Sequence, residues 1–182
     1  MRLPLLALTP LLTACGGAPT PDATAPANAP AAPAPVAAAA APETGTVAAS
    51  RALLDHYLAA WNSHDTEKAA AFFAEDVVVF DSLLGNVLHG RTEARDKMVG
   101  MYLRAVPNGQ WTLRNEPVLS ASGFSYEWSL TGVNLGDWAS YLHGKGQKID
   151  FKGISIVRVR DGKIVYQANY FDTQALGQQA GW

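Results

Sequence analysis

Three observations predict an α+β fold in which helices lie on one face of a curved antiparallel sheet. Apolar residues recur at helical spacing between residues 50 and 106. From residue 110 to 172 the pattern changes to strict alternation. The five Trp, six Tyr and six Phe all lie at or after Tyr57, so the core that must cover such a sheet is confined to the same stretch. Helices in a run followed by strands in a run place the helices together, packed against a sheet built from hairpins.

The first helix is expected in "SRALLDHYLAAWNSHD", with Ser50 as its cap and Leu54, Tyr57, Leu58 and Trp61 on one face. Asn62 and Ser63 end it. Asp65 can cap a second, short helix reaching about Ala74, which puts Ala69, Phe72 and Phe73 on one face. A strand over 77–81 follows, and its apolar run Val77, Val78, Val79, Phe80 stops at the carboxylate of Asp81.

After a Gly-containing loop over 82–90, "RTEARDKMVGMYLRAV" carries Ala94, Met98, Met101 and Tyr102 at helical spacing and stops before Pro107. Four alternating segments follow: "WTLRNEPVLS", "FSYEWSLTGV", "QKIDFKGISIVRVR" and "KIVYQANYFD". Asp161-Gly162 joins the last two as a tight hairpin.

Residues 1 to about 46 have no aromatic side chain with which to build a core. "MRLPLLALTPLLTAC" has one early charge at Arg2, a short apolar stretch broken by Pro4 and Pro10, and small residues before the only cysteine, so 1–14 reads as a secretion signal. Between Ala18 and Pro42, 20 of 25 residues are Ala or Pro. At that proline density a continuous helix is excluded, and residues 15–47 are expected to be an extended tether rising ~3.1 Å per residue. The folded domain is expected over 48–182.

Leu12-Thr13-Ala14-Cys15 resembles the lipobox of bacterial lipoproteins. That resemblance implies cleavage before Cys15, lipidation of its thiol and new amino group, and anchoring in the cell envelope. Gly16 rather than an aspartate after the cysteine implies the periplasmic face of the outer membrane, if the cell is Gram-negative. Acylation of the single cysteine would remove thiol catalysis and disulfides together. A net charge of -2 with no run of Lys or Arg gives no footprint for nucleic acid.

Residues 51–182 resemble the SnoaL-like branch of the nuclear-transport-factor-2-like superfamily, to which ketosteroid isomerase also belongs. The likeness lies in "YLAAWNSHDTEKAAAFFAEDVVVFD", in Gly90 opening the third helix, and in "DGKIVYQANYFDTQALGQQAG" with Asp172, Leu176, Gln179 and Gly181. It implies a cone-shaped curved antiparallel sheet wrapped on three N-terminal helices. It also implies a conical pocket, and in many relatives pairing through the exposed sheet face.

Laid on the ketosteroid isomerase pattern, Tyr57 takes the place of the oxyanion-binding tyrosine and Asp81 that of the catalytic base. The third member, a protonated carboxylic acid, falls near Ser155, so steroid isomerisation is disfavoured. SnoaL-type cyclases transfer protons with an acidic residue on the late strands, and Asp172 matches that position best.

Each of these residues also has a plainer reading. Tyr57 lies on an apolar stripe, Asp172 can cap the C-terminal tail, and Asp81 can end a strand or cap a loop. Glu127 alternates with Tyr126 and Trp128 and should face water. His56, His64, His89 and His143 show no metal-ligand spacing, and no cofactor is expected; His89 alone is expected near the pocket mouth.

Two functions follow. In the first, an envelope-anchored cup lined by Tyr57, Trp61, Phe80, His89, Met98, Trp111, Trp128 and Tyr170 holds a small apolar or amphipathic molecule. In the second, a cyclase- or isomerase-type enzyme uses Asp81 and Asp172 as general acid and base, aided by Tyr57.

Overall fold

The computed structural model describes residues 45–138 and 143–181, all within the compact unit Ala39–Trp182. The expected signal, the tether to residue 44 and Cys15 lie outside the described residues. Among the described residues no helix is long and apolar enough to cross a membrane.

Helix α1 (Val47–Asn62) starts earlier than expected, because Thr46 rather than Ser50 is the cap: the Thr46 hydroxyl accepts the Ala49 N–H at 3.1 Å. Ser50 lies buried inside the helix. Asp65 caps α2 (Thr66–Ala70) as expected, accepting from the N–H groups of Glu67 and Lys68. This helix ends four residues short of the expected limit, and Phe73 instead opens strand β1 (Phe73–Asp81). The Phe72 and Phe73 rings still pack on Tyr57, at 5.5 and 5.9 Å between centroids.

The loop expected over 82–90 contains a short strand, β2 (Val87–His89), paired antiparallel with β1. A continuous helical run follows: α3 (Gly90–Glu93), a π-helical stretch (Ala94–Val99) and α4 (Gly100–Ala105). Ala94, Met98, Met101 and Tyr102 are all buried, as their spacing predicts.

Pro117 lies in a break that splits the first alternating segment into β3 (Gln110–Leu113) and β4 (Val118–Ser120). The other three segments become β5 (Gly123–Asn134), β6 (Gln147–Arg160) and β7 (Lys163–Phe171). Asp161 and Gly162 take φ of 52° and 72°, the two positive values a type I′ hairpin requires. The tail forms a further helix, α5 (Thr173–Ala180), beyond the three expected.

The seven strands form one sheet in the order β2-β1-β7-β6-β5-β3, with β4 also on β5. The sheet is mixed rather than wholly antiparallel: β1 runs parallel to β7. Hairpin chemistry settles the pairs that are adjacent in sequence, but β1 and β7 are separated by residues 82–162, and no local turn dictates their direction.

Trp61, Tyr102 and Trp111 form one knot of the core, with centroids 5.0 to 6.4 Å apart. Asn62 ties α1 to β3 by donating to the Trp111 carbonyl at 2.9 Å and accepting from the Trp111 N–H at 2.8 Å. A second knot joins Trp128, Phe151 and Phe171 at 5.3 to 5.9 Å. Each such ring removes ~150–250 Å² from water, so these two knots carry much of the hydrophobic term that holds helices and sheet together.

Candidate functional site

Asp81 is fully buried, at 0 % exposure. It shares the inner face of β1 with Val77 and Val79, also fully buried, whereas Phe80 points to the other face. The register then decides its neighbours. Tyr126 on β5 stands opposite Ser155 on β6, Ser155 opposite Asn169 on β7, and Asn169 opposite Asp81 on β1. Four polar groups therefore form one row across the inner face of four strands.

Hydrogen bonds link the row continuously. Asn169 donates from Nδ2 to Asp81 Oδ2 at 3.1 Å and to Met98 Sδ at 3.2 Å. Its Oδ1 accepts the Ser155 hydroxyl at 2.8 Å and Gln167 Nε2 at 2.9 Å. Ser155 Oγ accepts Trp128 Nε1 at 2.9 Å and is also bonded to the Tyr126 hydroxyl. Gln167 Oε1 takes the Tyr57 hydroxyl at 2.9 Å. At the other end, Tyr102 donates to Asp81 Oδ2 at 3.1 Å, and the Leu83 N–H bonds Oδ1 at 3.0 Å. Asp81 thus combines two of its expected readings, since the carboxyl is buried and also caps the loop after β1.

Burial pushes the Asp81 carboxyl above its ordinary range, against the opposing bonds from Asn169, Leu83, Tyr102 and Leu84. Burial likewise raises Tyr57 and Tyr102 well above the usual phenol, and the Asp81 charge adds to the rise at Tyr102. Tyr126 is pushed up to about 12 by burial. All three phenols are therefore neutral donors at ordinary pH.

Above the row lies a cavity of about 20 Å³, lined by Leu58, Trp61, Tyr102, Trp111, Tyr126, Trp128, Ser155, Gln167 and Asn169. Gly153 helps to shape it. That residue sits between Trp128 and Phe171 in the register, and a Cβ there would overlap the Trp128 ring, so the indole packs against bare backbone.

Of the residues expected to line a cup, Trp61, Trp111 and Trp128 do so. Tyr57 and Met98 are fully buried, Tyr57 donating to Gln167 and Met98 accepting from Asn169. Phe80 and Tyr170 pair with each other at 5.3 Å on the opposite face of the sheet. His89 is exposed on β2, where its N–H bonds Glu93 Oε2 at 2.9 Å.

Tyr170, expected in the cup, therefore lies on the outer face of β7. Gln167, Asn169 and Phe171 face the core, while Tyr166 and Tyr170 face outward. Asp172 is exposed and caps α5, accepting the Ala175 N–H at 2.9 Å, so it is not brought together with Asp81. Glu127 is exposed as expected, bonded to Asn115 at 2.6 Å.

Reasoning from sequence missed Gln167, Asn169, Tyr102 and Tyr126 as site residues and discounted Ser155. The signal for the first two was present: Gln167 and Asn169 stand two apart among the apolar residues of "KIVYQANYF", on one face of a strand.

A curved open sheet covered on its inner face by helices, with a small aromatic and polar cavity between them, defines the nuclear-transport-factor-2-like class of α+β domains. The model of the SnoaL-like polyketide cyclase family matches residues 51–180, and the chain belongs to that family.

Three solved structures illustrate the likeness. A candidate SnoaL-like polyketide cyclase from Jannaschia sp. CCS1 is 12 % identical, with TM-score 0.65, covering 79 % of this chain and 96 % of that one. TsrD from Streptomyces laurentii is 20 % identical, with TM-score 0.62, covering 74 % and 96 %. A protein of ketosteroid isomerase-like fold from Catenulispora acidiphila DSM 44928, in complex with trimethylamine, is 16 % identical, with TM-score 0.59, covering 71 % and 92 %. At these identities the likeness is one of fold. No curated protein matches the chain.

Proposed function

We propose that this SnoaL-like domain is a binding module for a small, largely apolar molecule with a polar edge, held in the cavity between the aromatic knot and the polar row. The observation that carries the reading is the lining itself, in which five aromatic rings face the polar groups of Ser155, Gln167 and Asn169. Pockets for small molecules combine apolar walls with a few placed polar groups in this way.

The cavity at about 20 Å³ has room for one water. A ligand therefore enters by displacing the rim, and Leu58, Trp61 and Trp111, at 9 %, 6 % and 7 % exposure, are the lining residues nearest the surface. Phenol, cyclohexanol and indole at millimolar concentration should shift the amide signals of Ser155, Gln167 and Asn169 and the indole signals of Trp61 and Trp111. If none of the three compounds moves those signals, the binding reading falls.

A second reading, an isomerase- or cyclase-type enzyme, is favoured by the raised, buried carboxyl of Asp81 beside the Tyr102 hydroxyl. Tyr102, rather than the exposed Asp172, is then the partner positioned to share a proton with it.

The domain is proposed to be held at the cell envelope by lipid on Cys15, the motif "LTAC" being the support. Two or more acyl chains suffice for stable anchoring. Cys15→Ser should move the protein from the detergent phase to the aqueous phase, and equal partitioning of the two forms would defeat the anchoring. The outer sheet face, where Ile154, Ile156 and Tyr170 are 39 %, 43 % and 45 % exposed, supports the proposal that two copies pair there.

A further inference from the structure

Asp81 is a buried carboxylate with neutral partners on every side. Its bonds come from Tyr102, Asn169 and the backbone of Leu83 and Leu84, and among the described residues no Lys, Arg or His pairs with it. An anion taken out of water without a counter-charge is among the most unfavourable arrangements a core can hold, and folds normally answer it with an arginine or a lysine.

Two of the groups bonding Asp81, Tyr102 and Asn169, are themselves walls of the cavity. The carboxylate thus lies one side chain beneath the cavity floor. The remaining walls include Trp61, Trp111, Tyr126 and Trp128, and no lining residue is charged. Aromatic faces attract cations through the ring quadrupole, most strongly where water is excluded.

Resting on the small-molecule reading above, we infer that the ligand class of this cavity is a small organic cation, an alkylammonium of a few carbons, whose charge completes the pairing of Asp81 across Tyr102 and Asn169. Its methyl groups lie against the indoles and its charge toward the polar row. An anionic ligand meets the opposite conditions, a buried carboxylate of like sign and no donor that carries a full charge.

The test compares trimethylammonium chloride with tert-butanol, a neutral molecule of similar size and shape, on the folded full-length chain at matched ionic strength. Tryptophan fluorescence and the amide signals of Ser155 and Asn169 report binding. Trimethylammonium should bind at least ten-fold more tightly than tert-butanol, and in Asp81→Asn the two should agree within about two-fold.

If tert-butanol binds as well as the cation in the unaltered protein, or if the preference survives in Asp81→Asn, the inference is overturned while the small-molecule reading stands. If neither compound perturbs the cavity signals, the inference falls, while the small-molecule reading stands or falls by phenol, cyclohexanol and indole. Should Asp81→Asn fail to fold, the side-chain carboxyl carbon signal of Asp81 in the unaltered protein decides: it should move on adding trimethylammonium and stay in place with tert-butanol. The reverse, or equal movement with both, overturns the inference.

Discussion

Replacing Asn169 with leucine is expected to cost about 3–5 kcal/mol of folding stability, because one amide satisfies three other buried groups. Leucine preserves most of the volume, so little of the loss comes from a void. It leaves the Ser155 hydroxyl and one Gln167 N–H without an acceptor, and takes a donor from the Asp81 carboxylate. Each orphaned buried group costs roughly 1–3 kcal/mol, more when it is charged, and the three share one environment, so the sum is less than additive. Urea denaturation of the two proteins measures it. A loss below ~1 kcal/mol would mean that water entering the cavity replaces the amide.

The second large effect is that of Asp81→Asn, and its sign depends on pH. An asparagine can keep its oxygen on the Leu83 N–H, but its amide nitrogen then meets Asn169 Nδ2, donor against donor. Asn169 cannot turn over to help, since its oxygen already accepts from Ser155 and Gln167. The variant should therefore be less stable by about 2 kcal/mol in acid, where the native carboxyl is neutral.

As pH rises from the ordinary value of 3.8 through the raised folded value, the native protein loses stability that the variant does not lose. The folded state holds the Asp81 proton more tightly than the unfolded chain does, so stability falls with pH in that window. The deficit of Asp81→Asn should narrow between acid and neutral pH. The surface carboxylates Asp65, Asp76, Glu93 and Asp96, all held low, act in the opposite direction but equally in both proteins, so they cancel in the difference. A deficit that widens as pH rises would show that Asp81 titrates below its ordinary value.

Much of the architecture was legible because its causes are local. The cap at Asp65, the stop before Pro107, the Asp161-Gly162 hairpin and the limits of β6 all depend on residues a few positions apart. The misplaced elements had competing local signals. Thr46 and Ser50 are both cap-forming residues, and Phe73 fits an apolar helix face as well as a strand.

The site was less legible. Trp61, Trp111 and Trp128 line the cavity, and Asp81 lies beneath it, bonded to two of its walls. Phe80, Tyr170 and Asp172 were drawn toward it by the aromatic content of their strands, and the structure puts all three elsewhere.

By itself, then, the sequence determined most of the helices and strands, where the aromatic core lies, and that a carboxylate ends the first long strand. These follow from spacing, capping and turn chemistry, each acting within a few residues. Only the tertiary structure decided which face of β7 is inside and that Tyr126, Ser155, Asn169 and Asp81 stand in one row. A strand's side chains alternate with period two, so a shift of one residue in pairing exchanges its faces entirely. In β7 that shift is made inside the hairpin, where Arg158 pairs with Tyr166 but Val159 with Ile164, so Ile164 and then Gln167 and Asn169 all point inward; the skipped residue is fixed only when helices and sheet bury their aromatic side chains together.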